Sequence, residues 1–243
     1  HEIDIVNGLC KLLPFLALWA VWGRHFEEPI DYVYFMSISA LGFSCLENIF
    51  YFISYGPTII DGRSILSTVG HMFDSSIMAY GIVKLRFRVK KYAFLIFPLY
   101  LFMAALSHGV YDLFAIRRTG FGFLMTSAVF MFTVSIYSTV LNNCLNISQH
   151  FTYKFMIDQW HVIARMLKYY ISIFLIQFSL MLYFEGIPEN ILGVLINALM
   201  VGFIILVVVI RLSRFKLIRG RWNSIRLELP FSVAWGGIEN PMS

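Results

Sequence analysis

The chain has 243 residues and a formal net charge of +5, and it is 59% hydrophobic and 17% aromatic with only 14% charged residues, against about 25% charged in a typical soluble domain. With a mean hydropathy of +0.74, it has too little charge to cover a water-facing surface. Composition therefore excludes an ordinary water-soluble enzyme, a disordered chain and a nucleic-acid module, and it predicts an all-α, polytopic transmembrane helix bundle.

A membrane span needs about 20 mostly apolar residues. Seven are predicted, at 3–22, 32–54, 64–83, 92–114, 121–142, 169–185 and 191–210. The chain opens at His1 with Glu2 and Asp4 where a signal peptide would be basic, so no cleavable signal is visible and an upstream segment is expected. Cys10, Cys45 and Cys144 are an odd number of cysteines and imply no disulfide framework. Basic residues crowd the odd connectors: Arg24 in the first, Lys84, Arg86, Arg88, Lys90 and Lys91 in the third, and Lys154, Arg165 and Lys168 in the fifth. The tail adds Arg211, Arg214, Lys216, Arg219, Arg221 and Arg226, whereas the even connectors hold Arg63, Arg117 and Arg118. The positive-inside bias assigns the odd connectors and the tail to the cytoplasm.

Four regions are expected. Residues 1–142 form a site-bearing helical core, and 143–168 an amphipathic connector lying in the cytoplasmic interface. Residues 169–210 supply two accessory membrane helices, and 211–243 a basic tail facing anionic lipid.

The informative residues are the ionisable ones inside the spans. Glu47, His71, Asp74, His108 and Asp112 all fall in the second to fourth spans. An Asp at a helix centre costs about 2.5–3.5 kcal/mol on insertion scales, so these groups should face each other or water. At 1.5 Å of rise per residue, Glu47, His71 and His108 lie about 4–8 Å to the outer side of their span midpoints, which places all three at one depth. His108 and Asp112 are four residues apart, as are Glu47 and Tyr51, and His71 and Asp74 are three apart. Each pair therefore shares a helix face. Asp112 is expected to hold His108 in one tautomer, Asp74 to support His71, and Asn48 to add an amide beside Glu47. The competing view is that the cluster consists of interhelical hydrogen bonds that hold the bundle together.

The stretch Gly42-Phe43-Ser44-Cys45-Leu46-Glu47-Asn48-Ile49-Phe50-Tyr51 resembles the Phe-x-x-x-Glu signature of the PrsW family. Arg63 followed by Gly70-His71 looks like that family's Arg…Gly-His element, and His108-Gly-Val-Tyr-Asp112 is similar to its His-x-x-x-Asp motif. Lys11-Leu-Leu-Pro14-Phe, the acidic hairpin Glu27-Glu28-Pro29-Ile30-Asp31, and Tyr34 also look like family sequence, so the likeness covers about residues 5–115. It implies an intramembrane endopeptidase related to the CAAX-protease and bacteriocin-processing group, with its site sunk below the membrane surface. The family is associated with cutting a membrane-bound anti-sigma factor on its extracytoplasmic side. In that group a glutamate is thought to activate water while nearby polar groups stabilise the oxyanion. The family's first motif, Glu-Glu-x-x-Lys, is broken: with its lysine at Lys11, the glutamate pair becomes Asn7-Gly8. Asn takes no proton at neutral pH and Gly has no side chain.

Three chemistries follow. One is metal-free peptide hydrolysis of a membrane-anchored protein, with Glu47, His71, His108 and Asp112 catalytic and Asn48, Tyr51, Arg63 and Lys11 supporting. A second is a zinc hydrolase that uses Glu47, His71, His108 and Asp112 as an N/O ligand set, although no HExxH helix is present. The third is an inactive relative that acts as receptor, chaperone or regulator for a transmembrane partner, for which Asn7-Gly8 is the best support. All three place the chain in the lipid bilayer, in a bacterial cytoplasmic membrane, with a membrane-anchored protein as substrate or partner.

Overall fold

Lipid offers no hydrogen-bond partner, so a segment crossing it must satisfy its own backbone, as an α-helix does. The computed structural model describes residues 2–55, 67–88, 93–115, 120–152, 158–187, 191–212 and 217–224. Among these residues the chain forms α1 (Glu2–Trp22), a 3₁₀ turn (Gly23–His25), α2 (Pro29–Tyr55), α3 (Thr68–Phe87), α4 (Ala93–Ala115), α5 (Gly120–Asn146), α6 (Gln159–Glu185) and α7 (Ile191–Leu212). Each expected span has its helix. Among the described residues five helices, α2 and α4 to α7, are long and apolar enough to cross a membrane. Arg63, Lys90, Lys91, Arg117, Arg118, Lys154, Arg214, Lys216 and Arg226 lie outside the described residues.

The exception in composition explains the architecture. α3 carries His71, Asp74, Ser75, Ser76, Lys84 and Arg86, too much polarity for a helix facing lipid alone. It occupies the centre instead, packed by α2, α4 and α5, and every residue from Phe73 to Val83 is buried. α1 packs on α2 and α4, and α7 carries α6 against α5. The outer faces of α4, α6 and α7 expose Leu, Ile and Phe side chains, as lipid contact requires. Small residues let α3 and α4 approach closely, as in other membrane helix pairs. A methyl group built on Gly81 would come within 2.8 Å of Tyr100 Cβ.

The described residues refine two boundaries. Of the connector foreseen over 143–168, residues 143–146 belong to α5, which runs on to Asn146, and 159–168 belong to α6, which begins at Gln159. The overlooked signal is Asp158, an N-cap. Its Oδ1 accepts the Trp160 amide at 3.0 Å, and its Oδ2 lies 2.9 Å from His161 Nδ1. The His161 bond first, and the backbone amide next, hold this carboxyl below its ordinary range. Residues 217–224 of the tail dock on the helices. Asn223 N–H donates to Asn143 Oδ1 at 2.7 Å while Asn143 Nδ2 donates back to Asn223 O at 2.9 Å. Ile218 N–H donates to Asn146 Oδ1 at 2.8 Å. Trp222 stacks on Tyr80 with ring centroids 5.4 Å apart. Residues 217–224 thus close the end of the bundle formed by α3 and α5, through a left-handed Gly220 at φ 73°.

Gly81→Val should be destabilised by about 1–3 kcal/mol through overpacking against Tyr100, read as a lowered melting temperature in detergent micelles. An unchanged melting temperature would contradict so close an α3–α4 contact.

Candidate active site

The polar groups of the core come together near the end of the bundle where α2 and α4 finish and α3 begins. α3 and α4 run antiparallel with a constant register. Gly81 meets Tyr100, and ten residues earlier along α3 the His71 ring lies 4.8 Å from the His108 ring, inclined at 34°. α2 brings Glu47 to the other side of His71, with Glu47 Oε2 2.8 Å from His71 Nε2. α1 supplies Lys11, whose Nζ lies 2.8 Å from His71 Nδ1. Glu47, His71 and His108 therefore meet at one level of the bundle.

The partners fix the direction of this array. With Lys11 as an ammonium, which can only donate, His71 Nδ1 accepts from Lys11 and the ring proton is assigned to Nε2, where it donates to Glu47. Lys11 and His71 are only 2% and 1% exposed. Lys11 also stands 5.1 Å above the Phe43 ring, and Phe43 meets His71 edge-on at 5.9 Å. The backbone of α1 is anchored at the same level, because Ser39 Oγ donates to the Lys11 carbonyl at 2.6 Å. Glu47 is more open, with its side chain 17% exposed.

His108 forms the second half. Its Nδ1 faces Asp74 Oδ2 at 3.3 Å and its Nε2 faces Asp112 Oδ2 at 3.4 Å, so two carboxylates flank one imidazole. Asp74 therefore serves His108 and not His71, as its i,i+3 spacing had implied, because its neighbour across the helix interface is nearer than the one along its own helix. Asp112 is 42% exposed and His108 buried, so the pair leads outward.

The remaining supporting residues divide. Asn48 does not reach into the array: its Nδ2 donates to Thr68 Oγ1 at 3.0 Å, and Ser44 Oγ donates to the same oxygen at 3.1 Å. Together they fasten α2 to the first turn of α3. Tyr51 is half-buried one turn from Glu47. Thr68 was missed by sequence reasoning and Phe43 entered only as the first residue of the Phe-x-x-x-Glu stretch, although Thr68 precedes His71 by three residues and Phe43 precedes Glu47 by four, the spacings that share a helix face. Asn7 and Gly8 lie in the early turns of α1.

Comparison with known proteins identifies what the chain is similar to. A family model described as PrsW family intramembrane metalloprotease matches residues 5–139. A protein named Protease PrsW from Geobacillus kaustophilus (strain HTA426) is 33% identical over 100 residues, covering 41% of this chain and 44% of that one. Another, Protease PrsW from Bacillus subtilis (strain 168), is 34% identical over 88 residues, covering 36% and 40%. The matches thus span less than half the length of these curated relatives. No solved structure matches the chain.

The family description implies a metal, and the donor set can be tested for one. Among the described residues no group of three or more His, Cys, Asp or Glu side chains is gathered as metal ligands. The set Glu47, His71, His108 and Asp112 is split by its own pairings. A cation at His71 Nδ1 would have to displace an ammonium at 2.8 Å. The two tilted, overlapping imidazoles direct their nitrogens to different partners, Lys11 and Glu47 on one ring and Asp74 and Asp112 on the other. In this arrangement the residues present do not fit a divalent metal ion.

A double-mutant cycle checks the central contact. Lys11→Met and His71→Gln should be non-additive by about 0.5–3 kcal/mol in unfolding free energy, as for residues in direct contact. Additivity within about 0.5 kcal/mol would separate the two.

Proposed function

The chain belongs to the PrsW family, and from that premise we propose that it is an intramembrane endopeptidase that cuts a membrane-anchored protein through carboxylate-activated water. It is an integral membrane protein, with five helices among the described residues long and apolar enough to span. The basic odd connectors favour a cytoplasmic location for the tail, which would put the Glu47–His71–His108 level in the outer half of a bacterial cytoplasmic membrane.

The observation that carries this reading is the Lys11–His71–Glu47 chain lying against His108. Glu47 is the carboxylate at the centre of the cluster with access outward. In the proposed reaction it takes a proton from water as the water oxygen adds to the scissile carbonyl carbon. His108, held between Asp74 and Asp112, stabilises the resulting oxyanion and delivers a proton to the leaving amine as the C–N bond breaks. His71 has both nitrogens engaged, so its role is to hold Glu47 in place and not to serve as a second free donor. Lys11 fixes the His71 tautomer and places a positive charge beside the site. Neither residue needs a metal for these roles.

A second reading, a non-cutting PrsW-like membrane protein that binds a transmembrane partner, is favoured by Asn7-Gly8 in place of the family's glutamate pair. The two readings separate in proteoliposomes containing a single-span substrate. Under the protease reading the unaltered chain cuts, Glu47→Gln lowers kcat by about 10²–10⁴-fold, and His108→Ala lowers it by about 10²–10³-fold. Cleavage that appears only after Asn7→Glu and Gly8→Glu would favour the binding reading. A metal chelator should leave the rate unchanged. Loss of activity with chelator, restored by zinc, would overturn the metal-free assignment.

A further inference from the structure

A cavity of about 180 Å³ opens beside the polar array, between α1, α3 and α4. Its floor is polar: Lys11, Asp74, Ser75 and His108. Its walls are apolar, with Met78 from α3 and Leu101, Ala104 and Ala105 from α4, while Pro98 and Phe102 complete the lining. Pro98 and Phe102 are exposed on the outer face of α4, beside the exposed Leu95, Leu99 and Leu106. The open side of the cavity is therefore directed at the lipid-facing surface of the bundle.

Two facts on the floor call for a ligand. Ser75 Oγ is buried and makes no hydrogen bond among the described residues, and His108 Nε2, also buried, has only the Asp112 carboxylate at 3.4 Å, outside hydrogen-bond geometry. A buried donor or acceptor left unmade is costly, so such atoms mark places where water or a ligand completes the site.

We propose that this cavity is a substrate subsite that takes one medium-sized apolar side chain, of leucine, methionine or phenylalanine size, from a membrane-spanning peptide entering sideways past α4. This proposal rests on the protease reading and names the specificity of the same site. The volume is right for one such side chain: an apolar cavity of about 150 Å³ accommodates benzene. Ala104 and Ala105 set that volume, since any larger residue there fills it. A peptide seated this way brings its own backbone N–H and C=O to Ser75 and His108. A lipid acyl chain has neither, and its length exceeds the space, so it would leave Ser75 Oγ without a partner.

The test uses an alanine-rich single-span peptide carrying one diazirine-leucine, placed in turn at successive positions along its outer half and reconstituted with the full chain in proteoliposomes. Irradiation followed by mass spectrometry should find adducts on Met78, Leu101 or Ala105 for one position of the label, reduced 10-fold or more in Ala105→Leu. In parallel, the ratio of kcat/KM for the leucine peptide over its all-alanine counterpart should fall at least 10-fold in Ala105→Leu, within the range one pocket contact can supply. In Leu101→Ala preference should move the other way, toward a tryptophan-bearing peptide, a shift that general damage to folding does not produce. Adducts confined to the outer faces of α6 and α7, or equal in the unaltered chain and Ala105→Leu, overturn the proposal. So does labelling of the same three residues by a diazirine lipid that the peptide cannot displace. Cleavage that ignores residue size overturns the subsite and leaves the protease reading standing, whereas size-selective adducts without cleavage support the subsite and overturn that reading.

Discussion

A polar side chain in hydrocarbon has to find its partner on another helix, and this requirement organises the molecule. Hydrocarbon does not solvate Glu47, His71, Asp74, His108 or Lys11, so each is stabilised where a neighbouring helix presents the complementary group. α3, the most polar of the helices around the site, is accordingly the one wrapped on all sides. The arrangement is reciprocal. Lys11 reaches His71 because α1 lies against this centre, and α2 is held at the right height by Glu47, by Ser44 and Asn48 on Thr68, and by Ser39 on the Lys11 carbonyl.

The same pairings give the site its division of labour. One half runs from a buried ammonium through an imidazole to a carboxylate, and the other places an imidazole between two carboxylates. The halves meet ring against ring. In the proposed reaction the Lys11 amino group beside His71 supplies positive charge where a metalloenzyme would gather ligands. With the family's glutamate pair replaced by Asn7-Gly8, that proposal leaves Glu47 as the carboxylate to act on water. The polar-floored cavity beside His108 extends the centre toward the lipid-facing surface, the direction from which the proposed substrate would come.

Much of this was legible in the sequence because the signals are one-dimensional. Hydropathy fixed the seven helices, and rise per residue brought Glu47, His71 and His108 to one depth. The rotation of each helix about its axis is not written in that way. Hence Asp74, three residues from His71 on the same helix, turns out to serve His108 on α4, and Asn48, next to Glu47, bonds Thr68. The start of α6 was misplaced because hydropathy weighs the mixed residues 159–168 as a connector, while the Asp158 cap decides the helix boundary. The docking of 217–224 escaped for another reason: it depends on buried amides, Asn143 and Asn146, whose partners lie more than 70 residues away.

The most direct test is a through-space measurement of the Glu47–His71 contact in lipid. With ¹⁵N-labelled histidine and ¹³C-labelled glutamate, solid-state NMR of the full chain in bilayers should detect dipolar coupling between His71 Nε2 and the Glu47 carboxyl carbon, as a 2.8 Å hydrogen bond requires. That coupling should vanish in Glu47→Gln prepared with glutamate labelling alone. No measurable coupling in the unaltered chain, with His71 and Glu47 resonances otherwise well resolved, would mean that the two groups do not share a site.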